Sequence, residues 1–468
     1  MKPASEPTIT ASKNTRPSEQ ALNHRSDGPR PSDRWASGSN CIFTPVSFLM
    51  RRTRHCFLLL LITLSARLAP AQTSKTHKVV FIIADGIPAD VLEKAPTPNI
   101  KKIAASGTYL RAHVGGEQGT YTETPTISAP GYNDLLTGTW GYKHNVWDNA
   151  IKAPNYHYQT IFRLLKAQQP TRKIAIFSTW TDNRTKLVGE GLPAAGSLTF
   201  DYRADGYELD TVAYPHDKGS LYTHAIDNRV VSEAAKCLRT NGPDLSWIYL
   251  EHTDDMGHRY GDSPQLQTAV GYVDEQVGQI WAALQYRMKT YPEDWLLVLT
   301  TDHGRDDATG RGHGGQSARE RTTWLVMSQK EVNAYARRGQ PAIVDLLPTM
   351  ARFLGLPLSE TTARELDGVP LLGPVSLAES RVQLAGDSLR ISWTALNAGG
   401  KPEEVKVWLA TTNNFKQGGI DSYTLLGTVP LARQALSFAK SRFPAATFYK
   451  VVLEGEHNTV NHFLTLTP

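Results

Sequence analysis

The sequence predicts an α/β protein built around a mostly parallel sheet, followed by a small β-sandwich. The first observation is a set of continuous apolar runs, the pattern of strands buried on both faces. These runs lie at residues 78–84, 173–178, 245–250, 295–300 and 322–327. Helical patterns separate the runs, and such alternation is typical of layered α/β domains. The third observation is a change to period-two alternation after about Pro374.

The clearest helical pattern begins after Ser263, which is a suitable N-cap, with Pro264 in the first turn. Apolar residues then recur at steps of three and four, which places them on one face of a helix. They are Leu266, Val270, Val273, Val277, Ile280 and Leu284. The segment is therefore predicted to be a long amphipathic helix packed against the sheet.

The C-terminal region alternates apolar and polar residues, as strands with one buried face do. Examples are Leu389, Ile391 and Trp393, then Val405, Val407 and Leu409. About 95 residues with this pattern suggest a β-sandwich similar to a fibronectin type III module. We therefore predict an α/β domain over residues 72–373 and a β-sandwich over residues 374–468. The sandwich contains no catalytic constellation.

Residues 1–71 read as a disordered leader and a signal peptide. The first 49 residues are rich in Ser, Pro, Asn and Arg and have no apolar period. From Met50, a basic run precedes an apolar run at 57–62, and small residues end at Ala71. Translation from Met50 and an uncleaved membrane anchor are the alternatives. The prediction is a periplasmic or secreted protein without a stable membrane span after cleavage.

The charge distribution gives no sign of a nucleic-acid footprint, and no binding to nucleic acid is expected. The formal net charge is +5, but the first 71 residues contain ten basic and four acidic residues. The rest of the chain carries 40 basic and 41 acidic residues, so it is nearly neutral. Of the three cysteines, Cys41 and Cys56 fall in the leader, so the mature chain keeps only Cys237 and has no internal disulfide.

Six possible metal ligands follow the predicted strands in three short clusters. Open α/β sheets place their sites at the carboxyl ends of strands. The six residues are Asp85, Asp254, His258, Asp302, His303 and His313. Three carboxylates and three imidazoles suffice for two zinc ions with three protein ligands each. Each residue also has an ordinary alternative, such as a solvated helix face for Asp254 and His258 or a helix cap for Asp85.

A hydroxyl nucleophile is available between the first two clusters, at Thr124, Thr126 or Ser128. Pro130 in a first helical turn would put Ser128 at the positive end of the following helix, which also attracts phosphate. A serine needs activation, and a neighbouring zinc ion supplies it. The ordinary alternative for Ser128 is a helix cap.

Together these residues resemble the alkaline phosphatase superfamily, and within it the nucleotide pyrophosphatase/phosphodiesterase branch. The resemblance covers roughly residues 78–373 and includes Ser128 two residues before Pro130, Thr137-Gly138, and the Asp148-Asn149 pair. It implies an alkaline-phosphatase-like α/β sandwich, Ser128 as nucleophile and Asn149 as a contact to the phosphoryl group. It also implies one zinc held by Asp85, Asp302 and His303, and another held by Asp254, His258 and His313.

The chain departs from the branch pattern at two places. Gly131-Tyr132 stands where the family often has Asn-His, and His313 follows His303 by only ten residues, as in sulfatase-like members. Sulfatases have arginine where this chain has Tyr132, which argues against that activity. Monoesterase relatives use a Lys-x-Arg pair, for which Arg184 and Lys186 are the nearest candidates as substrate contacts. Solvated loop cations are the alternative for both.

The sequence thus predicts an exported two-zinc phosphohydrolase acting on a small-molecule phosphate ester. The expected bond is a phosphodiester or nucleotide pyrophosphate, cleaved through a phosphoserine. A phosphomonoesterase is the alternative enzyme, and a binding protein with a vestigial site is the alternative outside enzymes.

Overall fold

The computed structural model describes residues 75–396 and 401–466. The predicted leader and signal peptide lie outside these residues, as does the predicted turn at 397–400. All described residues belong to one compact unit, residues 72–468.

A seven-stranded sheet forms the centre of the α/β part. Its strands are β1 (Thr76–Ala84), β2 (Thr108–His113), β3 (Ile174–Ser178), β4 (Tyr202–Ala204), β5 (Leu245–Leu250), β6 (Glu293–Thr300) and β7 (Thr322–Met327). Their order is β2-β7-β6-β1-β5-β3-β4. Strands β6, β1, β5, β3 and β4 pair in parallel, and β7 runs antiparallel to both of its neighbours. The predicted mostly parallel sheet is confirmed.

The five predicted strands are all present, and two more extend the sheet to its edges. The edge strands β2 and β4 were missed because neither is a buried apolar run. Strand β2 has one fully buried residue, Ala112, and β4 has none and is only three residues long. Strand propensity is least informative for edge strands, because it mainly reflects how well side chains pack on a half-buried pleated surface.

Helices cover the two faces of the sheet and connect its strands. They are α1 (Ala89–Lys94), α2 (Pro98–Ser106), α3 (Ser128–Thr137), α4 (Gly141–His144), α5 (Ile161–Gln168), α6 (Leu221–Thr240), α7 (His252–Tyr260), α8 (Pro264–Thr290), α9 (Ala318–Arg321), α10 (Ala334–Arg338), α11 (Leu346–Phe353) and α12 (Glu360–Ala363). Ser263 caps α8 as predicted, because its side chain accepts a hydrogen bond from Leu266 N. A π-helical turn spans Asn183–Val188.

Two antiparallel sheets follow the α/β part. Their strands are β8 (Leu377–Ala385), β9 (Ser388–Ala395), β10 (Glu404–Ala410), β11 (Thr424–Pro430), β12 (Ala435–Ala439), β13 (Phe448–Glu454) and β14 (Thr459–Thr465). One sheet has the order β11-β10-β13-β14 and the other the order β12-β9-β8. The predicted C-terminal β-structure is confirmed, while the exact domain boundary at residue 373 stays a prediction.

Buried charges connect the α/β part to the C-terminal sheets. Lys143 Nζ donates to Asp367 Oδ1 at 2.6 Å and to Asn461 Oδ1, on β14, at 2.9 Å. Lys450 Nζ, on β13, donates to Glu365 Oε1 at 2.5 Å. Both lysine side chains are fully buried. The junction is therefore an ionic core as well as an apolar one.

Among residues 75–396 and 401–466, no helix has both the length and the apolar composition needed to cross a bilayer.

Candidate active site

The candidate ligands converge at the carboxyl edge of the central sheet. Asp85 follows β1 directly, and Asp302 and His303 lie two and three residues past β6. Helix α7, which carries Asp254 and His258 one turn apart, begins just after β5. Because β5, β1 and β6 are parallel neighbours, these three strand ends meet at one edge. The fold thus gathers residues that are more than 200 positions apart in sequence.

Three donor atoms face one another in the buried part of the site. His303 Nε2 lies 3.4 Å from Asp85 Oδ1 and 3.3 Å from Asp302 Oδ2. All three residues are buried, and none of these three atoms has a hydrogen-bond partner among the described residues. Buried polar atoms nearly always have a hydrogen-bond partner. Three converging atoms that lack one, and that can each ligate a metal ion, therefore indicate a metal site.

The electrostatics of this group agree with that interpretation. Burial, reinforced by the charge of Asp254, raises the pKa of Asp85 to about 7. Burial, together with the nearby carboxylates, raises the pKa of Asp302 well above its usual range. Burial and the neighbouring His313 lower the pKa of His303 well below its usual range. A bound divalent cation would favour the ionised form of both carboxyl groups, and it binds imidazole in its neutral form.

The other three candidate ligands lie beside this group, closer to solvent. Asp254 Oδ2 is 3.2 Å from His258 Nε2, and that nitrogen is 3.0 Å from His313 Nε2. Asp254, His303 and His313 also present donor atoms within 4.8 Å of one another. The rings of His303 and His313 are stacked with centroids 3.7 Å apart. All six predicted ligands are therefore brought together in one site.

Backbone carbonyls orient two of the imidazoles. His303 Nδ1 lies 2.9 Å from Gly304 O, and His313 Nδ1 lies 2.9 Å from Thr126 O. A carbonyl accepts only from a protonated nitrogen, so each neutral ring carries its proton on Nδ1. The Nε2 lone pair of each ring then points into the site, which is the tautomer that metal ligation requires.

The structure distinguishes the three candidate hydroxyl groups. Thr124 Oγ1 donates to Thr122 O and accepts from Gly141 N, both at 3.0 Å. Thr126 Oγ1 donates to Gly315 O at 2.8 Å and accepts from Gly314 N at 3.0 Å. Both threonine hydroxyls are thus part of the loop framework, which favours Ser128 as the nucleophile.

Ser128 is the first residue of α3, and Ile127 takes the N-cap position. Ser128 is therefore not the N-cap residue of this helix, contrary to the alternative interpretation. Asn149 Oδ1 accepts a hydrogen bond from Ala129 N at 3.0 Å. This contact occupies the amide oxygen of Asn149 beside Ser128 and leaves the amide nitrogen as a donor.

Gly131 allows α3 to lie directly against a metal-ligand loop. A Cβ atom at this position would meet Asp302 O at 2.9 Å and Asp302 Cβ at 3.1 Å. Any larger side chain would push the helix away from that loop. In this chain Gly131 therefore lets α3 pack closely against the loop that carries the candidate ligand Asp302.

Two tyrosines that the sequence analysis did not assign to the site hold Asp85 in place. The hydroxyl groups of Tyr132 and Tyr249 both donate to Asp85 Oδ2, the latter at 2.8 Å, and they lie 2.9 Å apart. Tyr132 is one helical turn after Ser128, and this spacing could have indicated that both face the site. Because Oδ2 takes both hydroxyl bonds, Oδ1 is the atom free to bind a cation.

A buried arginine is a second feature that the sequence analysis missed. Arg305 donates to Asp254 Oδ1 and to Asp254 O, and its Nε donates to Gly86 O at 3.0 Å. A Cβ on Gly257 would lie 2.0 Å from the guanidinium carbon, so glycine is needed there. Although burial alone would raise the pKa of Asp254, the hydrogen bond from His258 and the charge of Arg305 hold it well below its usual range. Asp254 is therefore kept ionised.

The two predicted substrate cations are engaged with carboxylates. Arg184 pairs with Glu190 at 2.5 Å and with Asp205 at 2.8 Å. Lys186 pairs with Asp182 at 2.7 Å on one turn of the π-helical segment. Their role as substrate contacts stays a prediction, and the ion pairs offer a structural role for Arg184 in particular.

Comparison with known proteins gives the family. A model of the type I phosphodiesterase / nucleotide pyrophosphatase family matches residues 79–349, more than half of the chain. The chain belongs to this family. The predicted membership of the nucleotide pyrophosphatase/phosphodiesterase branch is therefore confirmed, and the match contains every residue assigned above to the candidate site.

Individual relatives of this family member are distant. Rat ectonucleotide pyrophosphatase/phosphodiesterase family member 7 is 23% identical over 246 residues, which are 50% of this chain and 51% of that protein. The catalytic subunit of human GPI ethanolamine phosphate transferase 2 is 30% identical over 252 residues, 52% of this chain and 23% of that protein. The chain thus matches about half, or less, of the length of these relatives. The structure of human ectonucleotide pyrophosphatase / phosphodiesterase 5 is 14% identical, with a TM-score of 0.41, and the match covers 60% of this chain and 96% of that one.

We expect Tyr132→Phe to weaken metal binding at the buried ligand group. The change removes one of the two hydroxyl donors on Asp85 without altering the shape of the ring. Loss of such supporting hydrogen bonds typically costs about 10–100-fold in metal affinity. Competition with a chromophoric chelator measures this affinity directly. Tyr142→Phe is the matched control, because the Tyr142 hydroxyl donates to Asp367, which is not a candidate ligand. Equal affinity in the two variants would contradict the assignment.

Proposed function

We propose that this chain is a metal-dependent phosphohydrolase that cleaves phosphodiester or nucleotide pyrophosphate bonds through a phosphoserine at Ser128. Membership of the type I phosphodiesterase / nucleotide pyrophosphatase family supports the reaction class. The observation that carries the proposal is the convergence of unpaired, buried donor atoms of Asp85, Asp302 and His303. A binding protein with a vestigial site would have no need to keep these atoms unpaired.

The residues fit two zinc ions. Asp85, Asp302 and His303 would hold one ion, and Asp254, His258 and His313 the other. Mixed carboxylate and imidazole sets with three protein ligands suit zinc and leave open positions for substrate. When bound, the ions would lower the pKa of a hydroxyl or water and neutralise charge on phosphoryl oxygens.

The side chains of this chain would carry the substrate through two displacements. Ser128 Oγ loses its proton and attacks phosphorus, the bond to the leaving oxygen breaks and that oxygen takes up a proton, and the phosphoryl group with its remaining ester substituent stays on the serine. The amide nitrogen of Asn149, oriented by its contact with Ala129 N, donates to a non-bridging oxygen. Water then attacks phosphorus, the bond to Ser128 Oγ breaks, and the phosphate monoester product leaves as Ser128 regains its proton.

The ion pairs of Arg184 favour a diester over a monoester substrate. A phosphate monoester presents a dianion, and monoesterases of the superfamily neutralise it with a free Lys-x-Arg pair. Here the guanidinium of Arg184 is already paired with Glu190 and Asp205. A diester carries one charge less and needs no such pair. The phosphomonoesterase alternative is therefore the weaker one.

A rate comparison tests the proposal. With zinc supplied, we expect an aryl phosphodiester to be hydrolysed faster than the aryl phosphate monoester with the same leaving group. Chelation should abolish both activities, and zinc should restore them. Asp302→Asn should remove activity and bound metal, whereas Asp307→Asn, an exposed neighbour on the same loop, should change neither. A faster monoester would identify a phosphomonoesterase, and no hydrolysis in a zinc-loaded protein would identify a binding protein.

Export to the periplasm or the medium is part of the proposal. It rests on the signal-peptide pattern within residues 1–71, which lie outside the described structure. Cleavage before Gln72 would leave an enzyme of two parts, residues 72–373 and 374–468, acting on a small-molecule ester. N-terminal sequencing of the exported protein tests this assignment.

A further inference from the structure

The C-terminal sheets hold another group of possible metal ligands, far along the chain from the candidate active site. Glu403 directly precedes β10, and Glu456 and His457 lie in the turn that joins β13 to β14. One donor atom of each residue lies within 4.8 Å of the other two. Glu403 Oε1 and His457 Nε2 are 3.8 Å apart. None of these residues is used in the proposed reaction.

The carboxylate of Glu403 is buried without sufficient partners. Its side chain is only 5% exposed. Its Oε2 atom has no hydrogen-bond partner among the described residues. A buried carboxylate is costly unless it is protonated, paired or bound to a cation. His457 offers one partner to Oε1, but Oε2 is left without the partner that a buried oxygen normally has.

The turn that carries His457 is held firmly in place. His457 N donates to Ser376 Oγ at 3.0 Å, and Arg352 Nη2 donates to His457 O at 2.6 Å. Asn458 Oδ1 accepts from Ser376 N at 2.9 Å. These bonds fix the backbone on both sides of the ligand pair. A ligand held in advance loses little conformational freedom when an ion binds.

We propose that Glu403, Glu456 and His457 bind one divalent cation of the zinc type. Calcium and magnesium prefer sets made only of oxygen, whereas zinc accepts carboxylate and imidazole together. The partly exposed His457 and the exposed Glu456 leave room for water at the remaining positions. The ion would join the start of β10 to the β13–β14 turn and so act as a structural staple for this sheet.

Zinc stoichiometry tests this site separately from the catalytic one. The exported protein is dialysed against buffered zinc and its bound zinc is measured by elemental analysis. We expect Glu403→Gln to bind one ion per chain fewer than the wild-type protein. Glu404→Gln is the matched control, because Glu404 is the exposed neighbour of Glu403 and is not one of the three ligands. Hydrolysis of the phosphodiester should be equal in all three proteins.

His457→Asn provides a second measurement that does not alter the buried carboxylate. It should also lose one zinc ion per chain, and added zinc should raise its melting temperature less than that of Glu404→Gln. Equal zinc content in wild type, Glu403→Gln and His457→Asn would overturn the proposal. That result would assign the group to a direct contact between Glu403 and His457 without a bound metal. Failure of the phosphodiesterase assay alone would leave this stoichiometry unaffected, because the two sites share no residue.

Discussion

Replacing Ser128 with alanine should lower phosphodiester turnover by at least about 10³-fold while the fold and the metal content persist. The reason is that neither of the other two candidate hydroxyl groups is as well placed as Ser128 to attack phosphorus in the first displacement. Thr124 and Thr126 each donate and accept a hydrogen bond within their loop. Ser128 instead opens α3, where the helix end favours the negative charge of the reacting phosphate. Steady-state rates and zinc content measure the two halves of this prediction.

Two variants separate a nucleophile from a residue that only shapes the site. Ser128→Thr keeps a hydroxyl at the same place and should therefore retain far more activity than Ser128→Ala. Acid quenching during turnover should trap a phosphoryl group on the wild-type serine and none on Ser128→Ala. Near-normal turnover in Ser128→Ala would show that the assignment is wrong and would direct attention to Thr126.

The candidate ligands could be predicted from the sequence because local signals mark most of them. Asp85, Asp302 and His303 each follow a continuous apolar run, and parallel strands bring their carboxyl ends to one edge. Asp254 and His258 are separated by four residues and lie one helical turn apart on α7, as their spacing predicted. His313 is different, because it lies between glycines, and that local pattern by itself predicts only a loop. It was grouped with the others because of the combination of clusters, and the family resemblance then assigned it to the second zinc.

The supporting residues could not be predicted from local patterns. Tyr249 reads as one more apolar member of β5, and its contact with Asp85 depends on the register that pairs it with Ile83 of β1. Arg305 reads as a loop cation, yet it is fully buried against Asp254. Its burial requires the absence of a side chain at Gly257, 48 residues earlier in the sequence. Such roles arise from tertiary contacts that no single segment encodes.

The junction with the C-terminal sheets shows the same limit. The alternating pattern predicts strands with one polar face, and a charged residue such as Lys450 ordinarily lies on an exposed face. The structure instead buries Lys450 completely, between Glu365 of the α/β part and Asp421. Burial raises the pKa of the Glu365 carboxyl, and the charges of Lys143 and Lys450 oppose that rise. The C-terminal sheets are therefore joined to the α/β part by buried ion pairs, in which each charge offsets the cost of burying the other.

Lys450→Met should destabilise the protein by about 3–5 kcal/mol, because it leaves the buried carboxylates of Glu365 and Asp421 without their shared cation. The apolar side chain fills most of the volume, so the loss measures uncompensated charge and not a cavity. Lys406→Met is the matched control. Lys406 pairs with Glu454 at 3.0 Å, but its side chain is 52% exposed, and such surface pairs contribute about 0–1 kcal/mol. Urea unfolding of both variants measures the difference. Similar midpoints would show that the buried network does not stabilise the protein, whereas a selective loss in Lys450→Met would show that these buried ion pairs stabilise the junction between the two parts.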